Sequence, residues 1–326
     1  MTSSCSTDWR PGCSVEMLKT RSDLRQCIRE FFVTQDYLEV DTPLLSGDTV
    51  IDVHLDPLVV PVDGRSMFLQ TSPEASMKRL LAAGSGSIFQ ITRSFRSAEQ
   101  GDLHNPEFTI LEWYGVDTSW RDQLEVTEEL IRHVAAAVNR SLASEPFLVT
   151  TYQEAFDRYL EIDVLAASVE ELQSCAATHL DASPLPDGRD DLLNLLLAEK
   201  VEPQLGNDVP EFLVDYPISQ AALAEASAED PRIARRFELY LGGMELCNGY
   251  QELTDAQELR QRESVGRTVR QQRSLSELPG AQRLLSAMDA GLPACSGVAL
   301  GFDRLLMWLT GVSSIEECLP FSFERA

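Results

Sequence analysis

Two runs of strand-forming residues, SIFQITRSFR at 87–96 and EFTILEWYGVD at 107–117, are separated by only ten polar residues. Their aromatic and β-branched content marks both as strands, and a loop this short returns the chain as an antiparallel hairpin. That hairpin constrains whatever is built around it. Arg96 closes the first strand, His104, Asn105 and Pro106 close the loop, and Phe108 opens the return strand. A fixed guanidinium, a loop cation and an aromatic face suit the α-phosphate, outer phosphates and base of a nucleotide.

Other segments extend the pattern. Residues 17–35 place Leu24, Ile28, Phe31 and Phe32 at i, i+4, i+7 and i+8, one apolar stripe of an amphipathic helix. YLEVDTPLL follows as a short strand stopped by Pro43. Residues 50–71 alternate around a turn at Asp63-Gly64, and 237–253 form a second hairpin about Gly242-Gly243. Ser72 caps a helix with Pro73 at its first position, and 297–311 run from a glycine-rich strand end into a helix bearing Leu305, Leu306 and Leu309. Residues 120–138, 152–200 and 255–290 are mostly helical. Strands joined by hairpins, with helices around them, predict an α+β domain with an antiparallel sheet flanked by helices. We expect a flexible tail over 1–16 and one catalytic domain over 17–326, with a mostly helical insertion at 140–210.

Charge narrows the function classes. The net charge is −25, with only Lys19, Lys78 and Lys200 among the lysines. Broad binding of a polyphosphate chain needs a basic face, so an extended tRNA-binding surface is not expected. An acidic chain instead attracts a partner that presents lysine or arginine; acidity for solubility alone is the plain alternative. No apolar run approaches 18 residues, and the opening MTSSCSTDWRPGCS has no apolar core, so neither a membrane span nor a secretory leader is expected. Seven cysteines without a CxxC pair fit reduced thiols in the cytoplasm and argue against structural zinc.

RSFRSAEQGDLHNPEFTILEWY (93–114) resembles motif 2 of class II aminoacyl-tRNA synthetases, and HNPEFT followed by EWY is similar to the lysyl branch. GVALGFDRLLM resembles motif 3, and the 17–43 helix, strand and Pro43 resemble motif 1, the dimer-forming segment of that class. The resemblance implies ATP and Mg²⁺ as cofactors and a homodimer. It implies catalytic roles for Arg96 and Arg304, and ATP binding by Arg96, His104, Asn105, Phe108, Glu245, Leu246, Gly301 and Arg304. An ammonium on an apolar stem needs buried carboxylates beside aromatic walls. By resemblance, Glu112, Tyr114 and Glu252 would hold the ε-ammonium of lysine and Glu74 its other amine, with Ser72, Asn248, Tyr250 and Ala299 completing the pocket. Glu238 and Glu245 lie on either side of Gly242-Gly243, where a hairpin can bring two hard carboxylates to one magnesium ion, and they match metal positions of the synthetases. The chemistry needs no protein nucleophile, because the amino-acid carboxylate attacks the α-phosphorus in line and pyrophosphate leaves.

Motif 1 begins near residue 17, so the leading anticodon-binding barrel of a lysyl-tRNA synthetase is not expected. CSGVALG, TSPE followed by MKRLL, and FSFERA are similar to the elongation factor P–lysine ligase family. That resemblance implies adenylation of lysine, preferably the β-isomer, and transfer to a lysine on elongation factor P and not to tRNA. A truncated synthetase acting on tRNA, an ammonia-using asparagine synthetase and a non-catalytic regulatory paralogue are the rivals. Two positions depart from the synthetases: Ala98 stands where a glutamate is usual, with Glu99 next, and Ala299 stands where lysyl-tRNA synthetases have glycine.

Overall fold

A computed structural model describes residues 9–53, 55–181 and 183–326. The chain divides into two compact units, one formed by residues up to Thr118, Glu129–Ser141 and Leu253–Ala326, the other by Ser119–Glu128 and Leu142–Glu252.

The first unit opens with helix α1 (Val15–Thr34), capped by Ser14, whose hydroxyl accepts from Met17 N at 3.1 Å. Strands β1 (Leu38–Glu39), β2 (Leu45–Ser46), β3 (Val59–Val62) and β4 (Arg65–Leu69) follow, then α2 (Glu74–Ala82), β5 (Ile88–Phe95) and β6 (Glu107–Val116). β2, β4 and β3 make a small antiparallel sheet, with the expected turn at Asp63-Gly64. Helix α2 starts one residue later than the sequence suggests. Pro73 occupies the cap, and Ser72 Oγ accepts from Glu74 N at 3.3 Å. β5 and β6 pair antiparallel over their full lengths, Ile88 opposite Tyr114 and Phe95 opposite Glu107, which is the predicted hairpin.

The α1 stripe packs within its own unit. Phe32 stacks on Phe89 with ring centroids 4.9 Å apart and lies 5.2 Å from Trp113. Leu24, Ile28 and Phe31 are buried there too. This corrects the expectation that the stripe is the interface, because a side chain already packed on the sheet offers nothing to a second copy. The expected loose tail is also too long. Residues 1–8 lie outside the described residues, but Gly12 N donates to Pro320 O at 2.8 Å, Cys13 is buried, and α1 begins before residue 17.

Helix α3 (Trp120–Ala137) starts in the second unit and ends in the first. The second unit continues with β7 (Leu148–Thr151), α4 (Tyr152–Leu160), α5 (Val169–His179), α6 (Arg189–Leu196) with a π-helical turn after it, β8 (Glu211–Pro217), β9 (Ile233–Leu241) and β10 (Met244–Gln251). Its strands run in the order β10-β9-β8-β7. Tyr152, Phe156, Leu172, Leu193 and Leu196 share one core with Leu213, Tyr216 and Tyr240 of β8 and β9. The helices expected as an insertion over 140–210 are therefore inseparable from these strands, since each such side chain contributes about 1.5–3 kcal/mol by burial.

The chain then returns to the first unit through α7 (Ala256–Gln272), α8 (Gln282–Gly291), β11 (Cys295–Gly301) and α9 (Phe302–Thr310). β11 pairs antiparallel with β6, so this unit orders its main strands β1-β5-β6-β11. The strands are not antiparallel throughout. β1 runs parallel to β5 and β7 parallel to β8. Both parallel pairs are linked by long crossovers, through β2–α2 in one unit and α4–α6 in the other, as parallel pairing requires.

Candidate active site

β5, β6 and the loop between them, β11, the start of α9 and the start of α2 carry the predicted residues of the first unit. Arg96 follows β5, and its backbone N donates to Pro106 O at 2.9 Å, so the loop neck is closed. Its guanidinium lies 5.0 Å over the Phe108 ring, and NH1 sits 3.6 Å from Glu99 Oε1. Thus Phe108, expected to stack on a base, here carries Arg96. Ala98 adopts a left-handed φ of 63°, and Glu99 supplies the neighbouring carboxylate. Arg96 Nε is buried with no hydrogen-bond partner among the described residues. A phosphate oxygen would satisfy that donor, so the residue fits the nucleotide role given to it.

Arg304, in the first turn of α9, contacts His104 across 2.6 Å and its Nε reaches Leu103 O at 3.4 Å. Since a guanidinium can only donate, His104 Nε2 is the acceptor in this contact, so the ring holds Arg304 as a neutral imidazole and not as the expected loop cation. Asn105 does not present its amide to a ligand: Nδ2 donates to Glu107 O at 2.6 Å and Oδ1 accepts from Phe323 N at 2.9 Å. Its side chain ties the loop to residues 321–326, which accounts for the asparagine by geometry alone. Gly301 has φ −69°, and the three atoms nearest an added Cβ all belong to the Arg304 side chain, at 3.6–3.7 Å.

On β6, Glu112 is 1% exposed and accepts from Tyr114 OH at 2.6 Å. Gln90 and Ala299 are its register partners on either side, so the three side chains share one face of the sheet. Gln90 Oε1 accepts from Thr42 Oγ1 at 2.9 Å. In α2, Glu74 Oε1 accepts from Lys78 Nζ at 2.6 Å, and that lysine is buried. Any amine bound by Glu74 would share its carboxylate with this internal cation.

The second unit changes the metal assignment. Glu238 Oε2 accepts from Tyr216 OH at 2.5 Å and Tyr240 OH at 2.6 Å. Its Oε1 accepts from Arg236 NH2 at 2.6 Å and Asn248 Nδ2 at 3.2 Å. Four donors saturate a buried carboxylate, and a metal ion would have to displace them. Its register partner is Asn248, whereas Glu245 stands opposite Tyr240. Among the described residues no group of three or more His, Cys, Asp or Glu is arranged to hold a metal ion. The Glu238–Glu245 pair does not fit magnesium, and no step below is routed through one. Burial, reinforced by the Glu238 charge, pushes the Tyr216 and Tyr240 hydroxyls well up. Burial alone would lower Arg236, but the Glu238 carboxylate beside it raises it overall.

Arg236 also lies 4.4 Å over Tyr216 and 6.0 Å from the Tyr250 ring centroid. Glu252 is buried just past β10. Gly249 is required by packing: a Cβ there would lie 2.2 Å from the Phe237 ring. The sequence reading missed Arg236, Tyr216 and Tyr240. The only signal was their position two residues from, or across the strands from, Glu238.

The hairpin ending at Arg96, the strand-to-helix turn at Arg304 and the buried acidic strand β6 between β5 and β11 are the architecture of a class II synthetase core. The chain belongs to the family of class II tRNA synthetases (D, K and N), whose model matches residues 6–325. It is similar over nearly its whole length to proteins named elongation factor P–(R)-β-lysine ligase. Those of Salmonella paratyphi B (strain ATCC BAA-1250 / SPB7) and Salmonella schwarzengrund (strain CVM19633) are each 44% identical over 327 residues, covering 98% of both chains. The ligase of Salmonella paratyphi C (strain RKS4594) matches to the same extent.

Proposed function

We propose that this chain is an ATP-dependent ligase that adenylates lysine, with preference for (R)-β-lysine, and transfers it to the ε-amine of a lysine on elongation factor P. The observation that carries the reading is Glu112, a buried carboxylate held by Tyr114 beside Ala299, in a chain 44% identical to ligases of that name. A buried carboxylate with a phenol at its side suits an ammonium and leaves a neutral side chain of equal length poorly bound.

In this mechanism Arg96 and Arg304 face the phosphates and offset the charge that builds on the α-phosphorus as the substrate carboxylate attacks in line. Arg96 is held by Phe108 and Glu99, Arg304 by His104 and Leu103 O. Both are thus ordered before ATP arrives, which saves ordering entropy at the reacting centre. The Ala299 methyl, on the face of Glu112, shapes the wall beside the amine that differs between the isomers. For Asn248, Tyr250 and Glu252 as lysine contacts, and for Glu245 and Leu246 as ATP contacts without a magnesium role, the support is the family resemblance alone.

The protein acts as a homodimer in the cytoplasm, on elongation factor P and not on tRNA. The formal charge of −25 supports the choice of acceptor. Among the described residues, no helix is long and apolar enough to cross a membrane.

The test is ATP–pyrophosphate exchange with (R)-β-lysine, α-lysine and ornithine, followed by labelled transfer to elongation factor P and to bulk tRNA. Exchange with β-lysine and label on the factor are expected. No lysine-dependent exchange, or efficient charging of tRNA, refutes the reading.

A further inference from the structure

The first unit contains a buried charge cluster that none of the roles above uses. Arg21 of α1 donates through NH1 to Asp303 Oδ1 at 2.5 Å and through NH2 to Thr109 Oγ1 at 2.6 Å. Asp303 Oδ2 accepts from Thr109 N at 2.7 Å. The three residues close a ring of hydrogen bonds joining α1, β6 and α9. All are buried, with side-chain exposures of 8% for Arg21 and 2% for Asp303. The Arg21 guanidinium also lies 4.8 Å over the Phe302 ring.

Stability alone is a weak reason for such a ring. Dehydrating two full charges costs several kcal/mol, and apolar side chains of similar volume serve folding as well or better. What the ring does supply is register. Asp303 immediately precedes Arg304, and Thr109 immediately follows Phe108, the residue that carries Arg96. One end of the ring therefore anchors each proposed phosphate-binding arginine. The backbone bond from Thr109 N to Asp303 fixes the first turn of α9 against β6, and Arg21 holds both acceptors at once. A slip of one hydrogen bond between α9 and β6 would change the spacing of the two guanidiniums.

We propose that Arg21 and Asp303, closed by Thr109, are positioning residues that set the distance between Arg96 and Arg304. They touch no reacting atom; they act through their chain neighbours. The inference rests on the adenylation reading, since it needs both arginines at the phosphates.

Three variants test it: Arg21→Met with Asp303→Leu together, Thr109→Val, and Arg21→Lys. The apolar pair removes both charges, so no buried ion is stranded, but the buried Thr109 N–H loses its acceptor, so the protein should fold with a modestly lower melting temperature. A misplacement of about 1 Å can cost on the order of a hundredfold, so kcat for ATP–pyrophosphate exchange should fall at least ~30-fold. The KM for lysine should stay within ~3-fold, because Glu112 and Tyr114 do not contact the ring. ATP dissociation, measured without amino acid, should weaken ~10-fold, a readout that survives even if the amino acid has been misassigned. Arg21→Lys keeps the charge but loses the two-pronged grip, and should recover part of kcat. Thr109→Val keeps shape and removes one bond to Arg21. It should lower kcat ~3- to 10-fold, on the scale of one hydrogen bond, with a modestly lower melting temperature because one buried Arg21 donor loses its acceptor, and it decides the matter if the double variant does not fold. A folded double variant with parental kcat and ATP affinity, or a Thr109→Val protein with both unchanged, overturns the proposal. Failure of the parent to exchange with any lysine isomer would instead count against the adenylation reading, leaving ATP affinity to judge the ring.

Discussion

Glu112→Gln isolates the charge on which lysine recognition depends. The carboxylate is 1% exposed, and its Oε1 takes the Tyr114 hydroxyl at 2.6 Å. A glutamine can place its carbonyl oxygen in the same position, so the tyrosine stays satisfied and the shape is kept. The negative charge is lost, and the second carboxylate oxygen becomes an amide NH2 that can only donate. A hydrogen bond to a charged group is worth about 1.5–3 kcal/mol, so transition-state stabilisation for lysine should fall by that amount. At about 1.4 kcal/mol per decade, kcat/KM for lysine in pyrophosphate exchange should drop about 10- to 150-fold. The ATP dissociation constant should stay within twofold, since Arg96 and Arg304 are untouched. The melting temperature should hold or rise, because a buried amide costs less dehydration than a buried carboxylate. Parallel exchange assays with lysine and with a neutral side-chain analogue separate recognition of the ammonium from general damage. Unchanged kcat/KM for lysine in a folded variant, or an equal loss for both substrates, would refute the assignment.

Arg96→Ala and Arg304→Ala should each reduce adenylate formation by about 3 kcal/mol or more, read as kcat in exchange on folded protein. Glu238→Gln should behave as a folding lesion and leave the magnesium dependence of exchange unaltered, because it strands Arg236; about 3–5 kcal/mol should be lost in denaturant unfolding. Gly249→Ala should destabilise by about 1–3 kcal/mol through the clash with Phe237, seen as a lower denaturant midpoint. Burial pushes the Cys318 thiol up from 9.0 to about 12, with the Asp303 charge adding to the shift. The folded state therefore holds its proton where the unfolded chain has lost it, so this group's contribution to stability falls as pH rises from about 9 to about 12. Cys318→Ala should flatten that decline in unfolding free energy measured across the interval.

The sequence by itself determined the local elements: the α1 stripe, the β5–β6 hairpin with its ten-residue loop, the Gly242-Gly243 turn and the motifs that place the chain in its family. These were legible because periodicity and turn chemistry act between residues a few positions apart. Only the tertiary structure decided what the side chains at those positions do. The α1 stripe proved to be core because Phe89 and Trp113 lie over it. Asn105 became a brace because Phe323 N, 218 residues on, reaches its Oδ1. Glu238 looked like a metal ligand from its spacing, but Tyr216, Arg236, Tyr240 and Asn248 converge on it and satisfy both oxygens. Arg21 carried no signal at all, since its partner Asp303 is 282 residues away. A carboxylate's role depends on which donors surround it in space, and donors brought in from distant strands and helices leave no pattern in the neighbouring sequence.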